Sequence, residues 1–162
     1  MKYLVLAMAF VMISCESDDR SLDEQNIETT IRHLHVSLKN AYTTRSLDAD
    51  SLLTVYYDPN SYYVTPWATS ETLDSTKMRL RSAVPLVSDY DFSVESMNVR
   101  AYGNGAYAFF VLRQDYKVNG VERSEYLPTT LILEKQGELW RIVHAHRSAD
   151  PETWRQWFGS MK

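Results

Sequence analysis

The chain has 162 residues, of which 44% are hydrophobic and 12% aromatic, and its formal net charge at pH 7 is −4. This composition is typical of a well-packed globular protein rather than a disordered polar chain. The acidic balance and the lack of a Lys/Arg run exclude a basic face for phosphate binding, so we expect no nucleic-acid partner.

The chain begins with a positive charge and a short apolar run. Lys2 is followed by uncharged, mainly apolar residues through Ile13, which is the layout of a signal peptide. The run is too short for a membrane-spanning helix, which needs about 20 apolar residues. The sequence Met12-Ile13-Ser14-Cys15 resembles the bacterial lipobox, in which the cysteine is diacylated and becomes the new N-terminus. We therefore expect a lipoprotein signal peptide over residues 1–14; the alternative is a chance cysteine inside an ordinary secretory signal.

Cys15 is the only cysteine, so the chain cannot form an intramolecular disulfide and the thiol is free to carry the lipid. Two or three acyl chains would hold the protein stably at a membrane, with residues 15–20 as the acylated cysteine and its tether. The acidic residues Glu16, Asp18 and Asp19 resemble the export signals of some outer-membrane lipoproteins. The expected location is thus the bacterial cell envelope, with a lipid anchor in the outer membrane.

Three helices are predicted after the tether. Ser21-Leu22-Asp23-Glu24 matches a capping box and so predicts a helix start. A second, shorter helix fits residues 48–56, and a third fits 72–84 before Pro85. The first helix carries one apolar stripe at spacings of three and four, formed by Ile27, Ile31, Leu34, Leu38, Ala41 and Tyr42.

The rest of the chain has mainly β character. Asp58-Pro59-Asn60-Ser61 is expected to end the second helix, followed by a short strand over 62–65 and a loop over 67–70. Glycine- and asparagine-containing turns then separate the strands of an antiparallel meander, which are residues 92–101, 106–118, 121–134 and 139–148. A capped helical piece over 150–158 opens a C-terminal tail, 150–162, that could cover a sheet edge or a pocket mouth.

This order of elements resembles the nuclear transport factor 2-like superfamily. The segment 137–148, with Trp140, Ile142, His144 and His146, is similar to the last strand of its SnoaL-like members, and residues 41–56 are similar to their first-helix exit. The resemblance implies an α+β cone over residues 21–149, in which three N-terminal helices pack on a curled, mostly antiparallel sheet. It also implies a cone-shaped pocket and a convex sheet face that mediates homodimerisation.

Two catalytic templates of the superfamily fit poorly. Ketosteroid isomerase-like members place an Asp base directly before a proline, whereas this chain has Thr65 before Pro66. Limonene epoxide hydrolase-like members use an Arg-x-Asp pair and a second Asp on the final strand. Arg113 and Asp115 match the pair, but Ile142 stands where the second Asp would be. The sequence therefore keeps the Arg-x-Asp pair of the epoxide hydrolase template without its second Asp, and lacks the Asp base of the isomerase template.

His144 and His146 lie two residues apart in a strand and are expected to point the same way as Trp140 and Ile142. We interpret them as hydrogen-bonding or pocket-lining side chains. A metal site would need a third or fourth ligand, and no companion motif supplies one, so neither a metal nor a cofactor is expected.

Arg113 and Asp115 have two interpretations, a pocket pair or an ion pair on the solvent-facing side of the sheet. With His144 they form the alternative catalytic set. His33 and His35 are expected on opposite sides of the first helix, and so do not form a pair.

Aromatic residues near the expected pocket rim could line a site for a flat apolar ligand, although they could equally be ordinary core. These are Tyr62, Tyr63 and Trp67, with Trp154 and Trp157 on the tail. The predicted ligand-binding set is Tyr63, Trp67, Arg113, His144 and His146.

The leading hypothesis is a lipid-anchored protein whose pocket binds a small, partly apolar molecule, or whose sheet mediates dimerisation, without catalysis. The alternatives are an enzyme of the isomerase, cyclase or hydrolase type and a purely structural envelope protein.

Overall fold

The computed structural model describes residues 21–45 and 48–159, so the expected signal peptide, Cys15 and the tether lie outside the described residues. None of the helices it describes is long and apolar enough to cross a membrane. The elements in chain order are α1 (Leu22–Thr44), α2 (Ala49–Tyr56), β1 (Tyr57–Thr65), β2 (Ala68–Thr72), α3 (Leu73–Ala83), β3 (Val87–Tyr102), β4 (Gly105–Val118), β5 (Val121–Gln136), β6 (Leu139–Arg147) and α4 (Pro151–Phe158).

The predicted capping box starts α1. The Glu24 backbone N–H donates to Ser21 Oγ at 3.2 Å, and the Ser21 N–H donates to Glu24 Oε2 at 3.2 Å. Both donors would otherwise lack a partner at the helix start. The helix ends at Arg45, whose φ of 52° is left-handed. The apolar stripe lies inward, with Ile27 and Ile31 fully buried.

The six strands form one sheet in the order β2-β1-β6-β5-β4-β3. The meander from β3 to β6 is antiparallel throughout, as predicted, and only the β1–β6 pair is parallel. This confirms an α+β fold with a curled, mostly antiparallel sheet. The described residues contain four helices, of which α1 is by far the longest and α4 follows the sheet.

Two local predictions around β1 are wrong. The second helix ends at Tyr56, as predicted, but β1 begins directly at Tyr57 and includes Asp58-Pro59-Asn60-Ser61, instead of beginning at Tyr62. The strand tolerates Pro59 because the pairing of β1 with β6 is irregular between Tyr57 and Tyr62, so the ladder needs no donor there. The predicted loop over 67–70 contains the start of β2, which pairs with β1 through a tight reversal between Thr65 and Ala68.

The core lies between α1 and the concave face of the sheet. Side chains from four strands alternate toward α1, and the most buried are Phe110, Leu112, Leu127, Leu133 and Ile142. This packing fixes α1 across the sheet and leaves a space at one end of the cone, which α3 and α4 border.

Candidate functional site

A cavity of about 290 Å³ opens between the helices and the concave face of the sheet. Its size is at the lower end of small-molecule sites. Most of its wall is apolar and comes from α1, α2, α3 and the central strands, with Leu34, Leu38, Leu53, Leu80, Phe110, Leu127 and Leu131 among the lining residues. The cavity therefore offers a largely apolar interior beside the buried core.

Two guanidinium groups flank Tyr63 in the cavity wall. The Cζ of Arg79 lies 5.7 Å from the centroid of the Tyr63 ring, and the Cζ of Arg147 lies 5.5 Å from it. Arg79 Nε donates to both carboxylate oxygens of Glu71, at 3.1 and 3.0 Å. Arg147 differs, because its Nε is buried and has no hydrogen-bond partner among the described residues. The guanidinium of Arg79 is thus neutralised directly by the carboxylate of Glu71, whereas that of Arg147 has no carboxylate of the described residues in direct contact.

Glu125 is a carboxylate in the same cavity, 2% exposed, and its oxygens accept three hydrogen bonds. Tyr116 Oη donates to Oε1 at 2.6 Å, Trp157 Nε1 donates to Oε1 at 2.7 Å, and Gln114 Nε2 donates to Oε2. Burial, together with the charge of Glu125, raises the pKa of Tyr116, so its hydroxyl remains a donor. Glu125 therefore ties two strands to α4.

The network continues through Gln114, whose Oε1 accepts a hydrogen bond from Tyr90 Oη at 3.0 Å. Burial raises the pKa of Tyr90 as well, which keeps it protonated. The amide orientation of Gln114 is thus fixed from both sides, by a hydroxyl donor on its oxygen and a carboxylate on its nitrogen.

His35 also lines the cavity, although it was not among the ligand-binding residues predicted from the sequence. It is 2% exposed, and its ring lies 5.6 Å from that of Phe92 and 5.8 Å from that of Phe110. Nδ1 has no hydrogen-bond partner within the described residues. Burial, with a smaller effect from the charge of Arg147, lowers the pKa of His35 to about 3. The imidazole is therefore neutral at neutral pH. Its place four residues after Ile31, in the apolar stripe, is the signal that could have identified it.

Aromatic side chains form one side of the cavity mouth. The Trp67 ring lies 5.5 Å from that of Trp157 and 5.8 Å from that of Trp154. The helix α4 that carries both tryptophans is held on β5, where the Tyr126 N–H donates to Thr153 Oγ1 at 2.9 Å. Trp67 and Trp157 both line the cavity. The tail thus contributes part of the cavity wall.

His144 and His146 do not line the cavity, so their expected orientation is wrong. The β5–β6 register shifts between Ile132, opposite His144, and Leu133, opposite Ile142, which leaves Val143 as an extra residue. Such a bulge reverses the alternation of the strand. Trp140 and Ile142 therefore face the core, His144 and His146 face outward, and Arg147 takes the inward position in the cavity.

Arg113 and Asp115 lie on the outer face of β4 and do not line the cavity. Their side chains are 50% and 49% exposed, and Arg113 Nε lies 3.3 Å from Asp115 Oδ2. Ser124 Oγ also donates to Asp115 Oδ1 at 2.6 Å. Arg113 and Asp115 therefore form an ion pair on the solvent-facing side of the sheet and not a pair in the pocket. The alternative catalytic set of Arg113, Asp115 and His144 is therefore not assembled in the cavity.

Tyr63 and Trp67 are the members of the predicted ligand-binding set that line the cavity, and Thr65, between them, lines it as well. Tyr62, from the wider aromatic group, is 58% exposed. The side chains of His, Cys, Asp and Glu that the structure describes contain no group of three or more that could hold a metal ion.

Comparisons with known proteins agree with this architecture. The structure of a nuclear transport factor 2 (NTF2-like) superfamily protein from Salmonella enterica serovar Typhimurium matches with a TM-score of 0.67 at 20% identity, covering 80% of this chain and 92% of that one. A ketosteroid isomerase-like protein from Erwinia carotovora atroseptica matches with a TM-score of 0.64 at 13% identity, covering 80% and 98%. A CaMKII hub from S. rosetta matches with a TM-score of 0.59 at 18% identity, covering 75% and 95%.

These structural likenesses show the fold alone. Among functionally curated proteins, none matches the chain. The model of the SnoaL-like domain family matches residues 30–151, which is most of the chain and includes the six strands and all the cavity-lining residues except Trp157. The chain therefore belongs to the SnoaL-like domain family.

Proposed function

We propose that this protein binds a small, partly apolar molecule in its cavity, without catalysing a reaction on it. The observation that carries the proposal is the cavity of about 290 Å³, whose wall is mostly apolar and in which polar groups such as Gln114, Tyr116 and Glu125 are held by hydrogen bonds. This combination of an apolar body and a few oriented polar groups is typical of small-molecule sites. An open cavity also argues against the alternative of a purely structural protein with a filled pocket.

The polar groups in the cavity support binding over acid–base catalysis. His35 is neutral and buried, and the oxygens of Glu125 already accept hydrogen bonds from three side chains. Thr65 occupies the position before Pro66 where the ketosteroid isomerase template needs a carboxylate. The enzyme alternative would have to use Glu125 as its base, which requires breaking this network.

A screen for thermal stabilisation tests the proposal. We would use the full chain with Cys15→Ser, which removes the expected acylation site, as the reference protein. A ligand that binds only the folded state raises the melting temperature with its concentration. We expect small aryl-alkyl compounds such as 3-phenylpropionate and 3-phenylpropanamide to stabilise the reference protein.

A matched pair of variants locates the site. Ala83 lines the cavity, and Ala83→Phe would place a ring inside it. Ser82, the preceding residue of α3, is exposed, so Ser82→Phe adds the same ring to the surface. Stabilisation by the compounds should be lost in Ala83→Phe and kept in Ser82→Phe. Equal stabilisation of both variants, or no stabilisation of the reference protein, would contradict the proposal.

We further propose that a lipid on Cys15 holds the protein in the outer membrane of a bacterial cell envelope. The support is the sequence of residues 1–20, with its apolar run, lipobox-like junction and acidic tether. Acyl labelling and fractionation of the native chain and of Cys15→Ser test it. We expect acyl label in the native chain and none in Cys15→Ser; an unlabelled native chain, or label that persists in Cys15→Ser, would refute it.

The outer face of the sheet supports a homodimer as a second role. Three large side chains on β4 and β5 are exposed there, Phe109 at 40%, Tyr126 at 38% and Ile132 at 39%. A contiguous exposed apolar patch is typical of protein–protein contacts, and Phe109 and Ile132 lie close together on neighbouring strands. The similarity in fold to a CaMKII hub, described above, is consistent with self-association through this fold.

A further inference from the structure

We propose that the ligand carries a singly charged anionic group, such as a carboxylate, and that Arg147 binds this group inside the cavity. The inference rests on the proposed function and names the chemical class of the ligand. It is drawn from Arg147, whose guanidinium in the cavity wall forms no ion pair with a carboxylate of the described residues.

The charge of Arg147 is not neutralised by direct contact. Its Nε is buried without a hydrogen-bond partner, and no carboxylate of the described residues forms an ion pair with it. A guanidinium carries five N–H donors and stays charged at all accessible pH values. Arg147 as a whole is partly exposed, but a charged group whose donor is withdrawn from water is costly unless that donor is hydrogen-bonded. Arg79, in the same wall, shows the usual solution through its two contacts to Glu71.

Glu125 does not fill this role, although its charge acts on Arg147 through space. Its oxygens are occupied by Tyr116, Trp157 and Gln114. A carboxylate brought in by a ligand would face Arg147 without that competition. Because Glu125 already contributes one negative charge to the cavity, a singly charged group fits better than a doubly charged phosphate.

Two phenols line the same cavity as the guanidinium and could complete the site. These are Tyr57 and Tyr63, and the guanidinium of Arg147 lies over the Tyr63 ring. Burial raises the pKa of Tyr57, so its hydroxyl remains a donor. A guanidinium and hydroxyl donors that line one cavity are together complementary to the oxygens of a carboxylate.

The size of the cavity limits the rest of the ligand. A water molecule takes about 30 Å³ in the liquid, so the cavity of about 290 Å³ holds roughly ten non-hydrogen atoms. The apolar walls from Leu34, Leu80 and Phe110 suit a ring or a short alkyl chain. 3-Phenylpropionate meets both requirements, and 3-phenylpropanamide has the same shape without the charge.

Calorimetric titration of these two compounds into the reference protein tests the inference. We expect the acid to bind about ten- to a hundredfold more tightly than the amide, since hydrogen bonds between charged partners in a desolvated site are strong. Equal binding of acid and amide would overturn the inference while leaving the proposed function standing. Binding of neither compound would overturn both.

Two variants assign the preference to Arg147. Arg147→Gln should reduce the acid-over-amide ratio to about one while the amide still binds, and Arg147→Lys should retain part of the preference because it keeps a positive charge. Arg113→Gln is the matched control, since it removes the same charge from the outer face. A ratio that is unchanged in Arg147→Gln, or that falls equally in Arg113→Gln, would refute the role of Arg147. If Arg147→Gln does not fold, the acid-over-amide ratio of Arg147→Lys is compared with that of Arg113→Gln. A lower ratio in Arg147→Lys supports the role of Arg147, and equal ratios refute it.

Discussion

The Glu125 network allows a quantitative prediction about stability. Replacing Glu125 by Gln keeps the volume of the side chain but removes its charge and converts one acceptor oxygen into an NH₂ donor. Three donors point at this position, from Gln114, Tyr116 and Trp157. Gln114 cannot simply rotate its amide, because its Oε1 accepts from Tyr90. At least one donor would therefore lose its acceptor inside the protein.

The size of the effect follows from these contacts. A hydrogen bond to a charged group contributes about 1.5–3 kcal/mol, and a buried donor left without an acceptor costs about 1–3 kcal/mol. Since the other contacts of Glu125→Gln weaken rather than vanish, we expect the free energy of unfolding to fall by about 2–4 kcal/mol. For a chain of this size that corresponds to a melting temperature lower by about 6–12 °C.

Thermal and urea unfolding of the reference protein and of Glu125→Gln measure this difference. Glu122→Gln is the control, because Glu122 lies on the same strand but is exposed, and its replacement should change stability by less than about 0.5 kcal/mol. The near-ultraviolet spectrum of Trp157 should change in Glu125→Gln as α4 loosens. Equal stability of the two variants would refute the conclusion that Glu125 holds β4, β5 and α4 together.

Three further predictions concern other parts of the fold. Ser21→Ala should lower the free energy of unfolding by about 1 kcal/mol in urea titrations, because the first turn of α1 loses its cap; an unchanged midpoint would contradict this. The pKa of His35 is about 3 in the folded state and about 6.5 in the unfolded chain, so only the unfolded chain takes up this proton between those values, and stability falls as pH decreases through that window. From about pH 7.5 to about pH 5 the reference protein should therefore lose about 2 kcal/mol more than His35→Gln, and parallel pH profiles would be inconsistent with a neutral buried imidazole. The reference protein should form a dimer in light scattering that Phe109→Glu converts to a monomer, whereas a monomeric reference protein would exclude dimerisation through the outer face.

The features that the sequence predicted correctly are those with local causes. Ser21 and Glu24 satisfy each other's backbone donors within one turn, so the start of α1 is encoded in four residues. Asn119 and Gly120 both adopt positive φ, 50° and 81°, as a two-residue hairpin requires, and few other residue pairs do this readily. The meander could therefore be traced from its turns.

The features that it did not predict depend on contacts between distant segments. The extra residue Val143 has no local signature, because the bulge is defined only by the pairing of β6 with β5. It moves His144 and His146 outward and Arg147 inward. The two histidines predicted as site residues on β6 therefore lie outside the cavity, and Arg147, which was not predicted, lines it. The strand β2 was missed because its pairing with β1, rather than its composition, makes it a strand.

Glu125 did carry a signal that could have been used. It stands at an inward position of β5, two residues before Leu127 in the alternation that continues to Leu131 and Leu133. A carboxylate in such a row must find hydrogen-bond donors or remain costly to bury. Which donors it finds depends on the fold, since Trp157 reaches it from a helix 32 residues away.

The most direct test of the central claim, that the cavity is a ligand site, is a crystal structure of the reference protein with 3-phenylpropionate. We expect the phenyl ring between Leu34, Leu80 and Phe110 and the carboxylate on the guanidinium of Arg147. An empty cavity at a saturating concentration of the compound, or a compound ordered only on the outer surface, would contradict the claim.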